Sequence, residues 1–137
     1  MARSYRPYFE DYCVHCVRFY LSRKLDPEPP PAEQLSEVSR ANLRACEKAF
    51  KDFNDIQKFL INECYSPLVP FDLFHSQLIG ACEHLGIKEN AAFLELREAL
   101  YRIAVYRELI CEPFPRYKNL HERILMEIER ERLEKQA

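Results

Sequence analysis

The amino-acid sequence predicts an all-α protein, a compact bundle of about five to six helices. Only two of the 137 residues are glycine while 31% are charged, a composition that disfavours folds rich in tight hairpin turns. Hydrophobic residues, 47% of the chain, recur at spacings of three and four, the period of an amphipathic helix. The length suits one domain with one core.

Prolines and capping residues divide this pattern into helices. Proline lacks the backbone N–H and disfavours helical geometry before it, so the Pro-rich residues 26–34 form a stiff, exposed linker. Asn54 or Asp55 is expected to cap a third helix, and Asp72 a fourth. The predicted helices run, in order, over residues 5–24, 31–54, 55–64, 72–85, 88–110 and 119–136.

The chain is expected to form one helical domain over residues 1–112, followed by a charged helical extension over residues 113–137. The extension alternates arginine and glutamate around a thin apolar seam. Such a narrow seam is typical of a helix that meets a partner helix, either within the fold or in a second subunit, so a homodimer through this helix is one expectation. The candidate interface residues on the seam are Ile124, Leu125 and Ile128.

Residues 72–110 have the pattern of a helix-turn-helix. Gly86 lies where the first helix should end, and a glycine there takes the left-handed conformation without a Cβ penalty. The second helix, from Lys88, would be the DNA-reading helix. Its candidate DNA-binding residues are Lys88, Asn90, Arg97 and Arg102.

The exposed start of this second helix is poor in the side chains that read bases. Base recognition needs side chains such as arginine or asparagine with bidentate geometry, whereas residues 91–95 are Ala, Ala, Phe, Leu and Glu. Phe93 and Leu94 are therefore either core residues or candidates for contact with a partner protein.

Three further stretches, together with the turn, carry a family resemblance: residues 5–12 with Arg18-Phe19-Tyr20, residues 42–51, and residues 103–110. In combination they resemble small proteins of phages and mobile elements of clostridia-like bacteria. The latter half of those proteins is similar to the promoter-binding helix-turn-helix domain of sigma factors. The resemblance implies a cytoplasmic accessory protein that regulates transcription by binding duplex DNA or RNA polymerase, and it supplies no catalytic residues.

The composition also bears on the functional class and the location of the protein. The net charge of −2 and the pI of about 6.1 lack the strongly basic balance of an autonomous nucleic-acid binder. No apolar run approaches the roughly 20 residues of a membrane span, so a cytoplasmic protein without membrane contact is expected. In a reducing cytosol the six cysteines would act as small hydrophobic residues.

Cys13 and Cys16 form a C-x-x-C motif without a second pair elsewhere. Structural zinc needs four ligands, so the sequence predicts no metal, although a site completed by a distant His or Cys stays an alternative. No phosphate-binding glycine loop and no local catalytic signature are present, and neither a cofactor nor an enzymatic activity is expected.

Two functions therefore remain open. One is a DNA-binding regulator that uses the helix from Lys88. The other is a non-enzymatic interaction module, such as a phage-encoded inhibitor of a host or CRISPR-type defence complex.

Overall fold

A computed structural model of the protein describes residues 8–136. The all-α prediction is confirmed, with six helices in a compact arrangement. The predicted start of the first helix at Tyr5 lies outside the described residues. None of the helices between residues 8 and 136 is long and apolar enough to cross a membrane. The helices are α1 (Tyr8–Leu25), α2 (Glu37–Asp52), α3 (Asp55–Cys64), α4 (Phe74–Leu85), α5 (Glu89–Tyr106) and α6 (Lys118–Gln136).

Helix α5 is the centre of the bundle and packs against all five other helices. From Leu96 onward most of its side chains are buried, on every side rather than along one stripe. A helix with apolar side chains on most of its faces is typical of the core of a bundle. Helices α1, α2 and α6 pack mainly against α5, whereas α3 and α4 pack against each other as well as against α5.

The helix starts follow the capping chemistry of the sequence. Asn54 caps α3 through a capping box, in which its side chain accepts from the Gln57 amide and the Gln57 side chain accepts from the Asn54 amide. Ser36 caps α2 by accepting from the Ser39 amide. The expected Asp72 cap is wrong, because Asp72 lies inside a 3₁₀ turn, Phe71–Leu73, that leads directly into α4.

Helices α4 and α5 each end at a residue with a left-handed backbone conformation. Gly86 ends α4 with φ 69°, and its amide donates to the Cys82 carbonyl at 2.8 Å. The prediction that α5 runs to Ile110 is wrong, because Glu108 adopts φ 61° just after Tyr106. The Leu109 amide then donates to the Ala104 carbonyl at 2.9 Å and closes the helix. Glutamate rarely adopts this conformation, so nothing in the sequence predicted a helix end at Glu108, and the predicted end lay later, before Pro113.

Helix α6 packs along α5 and contributes to the same core. Ile124 is fully buried there, so its expected role as a partner contact is wrong. Buried beside it is His121, whose Nδ1 lies 2.6 Å from the hydroxyl of Tyr101. The Tyr101 hydroxyl also accepts from the Phe114 amide at 3.0 Å. Tyr101 thus ties α5 to α6 and to the segment between them.

We predict that mild acid destabilises the protein through His121. Burial keeps the pKa of His121 below its ordinary value of 6.5, against a smaller opposing effect of Glu122. As pH falls through about 6.5, His121 binds a proton in the unfolded chain but not yet in the folded protein. This contribution to stability is therefore complete above that pH and is lost as the pH falls toward the lower folded pKa.

Urea unfolding at several pH values between about 7.5 and 5.5 measures this loss, since the window brackets the ordinary pKa of histidine. His121→Asn, which cannot titrate, should show a smaller loss than the wild type, while exposed His15→Asn should behave as the wild type does. Equal pH dependence in the wild type and His121→Asn would contradict the prediction.

Candidate functional site

An apolar cleft of about 620 Å³ opens beside the first three turns of α5. Leu96 and Leu100 form its buried floor. Its rim carries Phe71, Phe93 and Leu94, whose side chains are 63%, 41% and 40% exposed. Clefts of this size, with mostly apolar walls and few polar groups, are typical binding sites.

The wall of the cleft opposite α5 is held in place by ring contacts and by one arginine. Phe74 stacks on Tyr65 with ring centroids 5.4 Å apart. The guanidinium of Arg18 donates to the carbonyls of Ser66 and Val69, each at 3.1 Å, and lies 4.4 Å from the ring centre of Phe71. The segment from Ser66 to Phe71 is thereby anchored to α1, and the cleft is preformed.

The polar groups of the cleft stand along one side. Arg97 donates from Nε to the carboxylate of Glu10 at 3.2 Å, and Glu10 is almost completely buried. A buried carboxylate needs such a partner, because an unpaired one would pay a large desolvation penalty. The Arg97 side chain is still half exposed. Asn90 completes this side of the rim.

The four predicted DNA-binding residues are not equivalent in the structure. Lys88 and Asn90 are exposed at the start of α5. Arg97 is half exposed but committed to Glu10. Arg102 is only 13% exposed and lies 3.9 Å from the carboxylates of Asp52 and Glu98. Its prediction as a DNA contact is wrong, because the side chain faces these two acids inside the bundle.

The buried position of α5 also bears on DNA reading. A recognition helix must project from the surface far enough to enter the major groove. In this fold Ala92 is buried, and most side chains from Leu96 to Tyr106 are covered by neighbouring helices. The exposed side chains of α5 lie near its start, where they include Phe93 and Leu94, and at Arg97.

The remaining interface candidates lie on α6. Leu125 is exposed, whereas Ile128 is partly buried against the core. Met126 and Leu133 are also exposed, although neither was among the predicted interface residues. The outer face of α6 therefore keeps apolar side chains that a second copy could cover.

Cys13 and Cys16 are buried among apolar residues of α1. Burial raises the pKa of the Cys16 thiol to about 11 and that of Cys13 further, so both stay protonated at neutral pH. Among the described residues no group of three or more His, Cys, Asp or Glu side chains is placed to hold a metal ion.

Comparison of the chain with protein-family models, with curated proteins and with solved structures gives no match.

The wall of the cleft opposite α5, which includes Phe71, was not predicted from the sequence. Phe71 follows a proline and precedes a predicted helix, and nothing local marks it as part of a site. The signal that was available is the cluster of apolar residues around Pro67 and Pro70, which is unusual for a loop.

Proposed function

We propose that this protein is a non-enzymatic interaction module that binds a helical segment of a partner protein in the apolar cleft. The observation that carries the proposal is the exposure of Phe71, Phe93 and Leu94 around a preformed cleft. A few residues, among them large aromatic ones, contribute most of the binding energy in protein interfaces.

The chemistry of the rim indicates what kind of segment fits. An amphipathic helix binds a groove with apolar side chains spaced three and four residues apart. The cleft can take such side chains between Phe71 and Phe93, while the half-exposed Arg97 faces the rim. A carboxylate on the polar side of the partner helix would meet Arg97 there. We propose as the partner either the RNA polymerase that the family resemblance implies or the host defence complex expected for an interaction module.

We predict that Phe93→Asp weakens binding of this partner by at least about thirtyfold, the effect of removing an interface hot spot. The matched control is Met126→Asp, which places the same charge on an exposed apolar residue of α6. Tagged protein is used to capture partners from nuclease-treated host lysate, and the recovered partner is then titrated against both variants.

The proposal requires that the recovered partner binds the wild type and Met126→Asp alike and loses affinity for Phe93→Asp. Equal affinity of the two variants would contradict it. Capture of the partner from untreated lysate but not from nuclease-treated lysate would also contradict the proposal, because a nucleic acid would then connect the two proteins.

A second candidate is the mobile-element transcription regulator expected from the sequence. It is supported by the left-handed turn at Gly86 and by the exposure of Lys88 and Asn90 beside it. In this case the start of α5 would contact duplex DNA, and α6 would pair two copies through Leu125 and its exposed neighbours.

A further inference from the structure

Three surface hollows, separate from the cleft, converge on Arg44 of α2. One lies between α1, the proline linker and α2, and it is lined by Arg23, Arg40 and Arg44 among others. A second reaches α6 past Lys48. The third, of about 440 Å³, has Arg40, Arg44 and Arg107 around it. We call this surface the arginine face.

The arginine face has a charge opposite to that of the rest of the chain. Eight cationic and four carboxylate side chains line the three hollows. The whole chain carries a net charge of −2. The positive charge is therefore concentrated on one surface, which focuses the electrostatic potential there more than the net charge suggests.

The cations at the centre of this face are poorly neutralised within the protein. Arg40, Arg44 and Lys48 follow one another at intervals of four residues, and like charges at this spacing destabilise a helix. Lys48 pairs with Glu131 of α6. Among residues 8–136, neither Arg40 nor Arg44 has a carboxylate oxygen within 4.0 Å of its guanidinium. An external anion would relieve their repulsion.

Arg107 is positioned on this face by a buried amide. Its Nε donates to Oδ1 of Asn42 at 2.6 Å, and Nδ2 of Asn42 donates to the Tyr12 hydroxyl at 3.1 Å. Asn42 is itself 7% exposed. This hydrogen bond at Nε restricts the orientation of the guanidinium and of its two Nη groups. The entropy that Arg107 loses on binding an anion is therefore smaller.

We propose that Arg40, Arg44 and Arg107 bind the phosphate backbone of duplex DNA. The rise of an α-helix places successive cations of the α2 row about 6 Å apart, a repeat that suits a polymer with regularly spaced anions. Single strands are bound mainly by exposed aromatic side chains. The aromatic residues that line the three hollows, Tyr20 and Tyr106, are buried, so the face fits backbone contact and not base stacking.

This surface is independent of the proposed function. Arg107 follows the last residue of α5, whereas the cleft borders its first three turns. Asn90 and Arg107 are about 25 Å apart along the helix axis. One molecule can therefore hold DNA at one end of α5 and a partner protein at the other.

The test is fluorescence anisotropy of a short labelled duplex, titrated with the full chain between about 50 and 200 mM salt. The variant is Arg40→Ala with Arg44→Ala, two surface substitutions that favour helix and whose folding is checked by circular dichroism. The matched control removes two exposed cations elsewhere, Lys58→Ala with Lys118→Ala. Phe93→Asp separates this surface from the cleft, and a polyglutamate peptide is titrated in parallel.

The wild type should bind the duplex, and the arginine variant should lose at least about tenfold in affinity with a salt slope smaller by about 2. The lysine control and Phe93→Asp should bind as the wild type does. Absence of duplex binding, an unchanged arginine variant, or equal loss in the lysine control would overturn the proposal. Preference for polyglutamate over the duplex would overturn it in favour of an acidic protein.

Discussion

Replacement of Tyr101 by alanine is expected to lower the free energy of unfolding by about 3–5 kcal/mol, the usual cost of deleting a buried ring. Tyr101 is fully buried where α1, α5, α6 and the segment before α6 meet. Its ring lies 4.5 Å from that of Tyr117 and 6.0 Å from that of Phe9, measured between ring centres. The helices packed around this ring would relax only partially into the cavity that it leaves.

The hydroxyl of Tyr101 should account for a separate part of the loss. Tyr101→Phe keeps the ring but leaves the Phe114 amide and Nδ1 of His121 without this partner. Orphaned buried groups of this kind cost about 1–3 kcal/mol. Urea unfolding of both variants measures the two parts, and exposed Phe71→Ala serves as the control with a loss below about 1 kcal/mol. Equal losses for alanine and phenylalanine would contradict the importance of the ring.

Ile124→Asp is expected to lower the free energy of unfolding by about 4 kcal/mol or more, because it buries an unpaired charge. Ile124 is fully buried in the core that α6 shares with α5. The substitution should therefore destabilise the whole domain in one cooperative transition. A charged extension that folded separately over residues 113–137 would instead melt alone and leave the rest unchanged.

The neighbouring residue supplies the matched control for this experiment. Leu125 is exposed, so Leu125→Asp adds the same charge one position away without desolvating it. Its effect on unfolding should stay within about 0.5 kcal/mol. Circular dichroism during urea unfolding distinguishes the outcomes, and a first transition confined to α6 in Ile124→Asp would contradict a shared core.

The sequence predicted the helices well because their signals are local. The Asn54 cap and Gly86 act within a few residues, and each one fixed a boundary to within a turn. The start of α2 was predicted wrongly at Pro31, because the prolines do not mark where the next helix begins, and α2 starts at Glu37 behind the Ser36 cap. The end of α5 was misplaced because Glu108 adopts a left-handed conformation that only the tertiary environment selects. Ile124 was assigned to the surface because a thin apolar seam does not reveal which of its residues face the core.

The candidate site was only half visible in the sequence. Phe93 and Leu94 could be recognised because they occupy positions where a DNA-reading helix needs polar side chains. Phe71 could not, since the contact that places it beside α5 comes from Arg18 of α1. The arginine face was hidden for the same reason, because Arg44 and Arg107 are brought together only by the fold.

The central position of α5 has a consequence for synthesis on the ribosome. Helices α1 to α4 are made first, yet each of them buries its apolar face against a helix that emerges later. The core cannot close until α5 has left the exit tunnel, and Ile124 of α6 joins it only after that. Throughout that interval the nascent chain presents apolar helix faces to its surroundings, the condition under which chaperones engage growing chains.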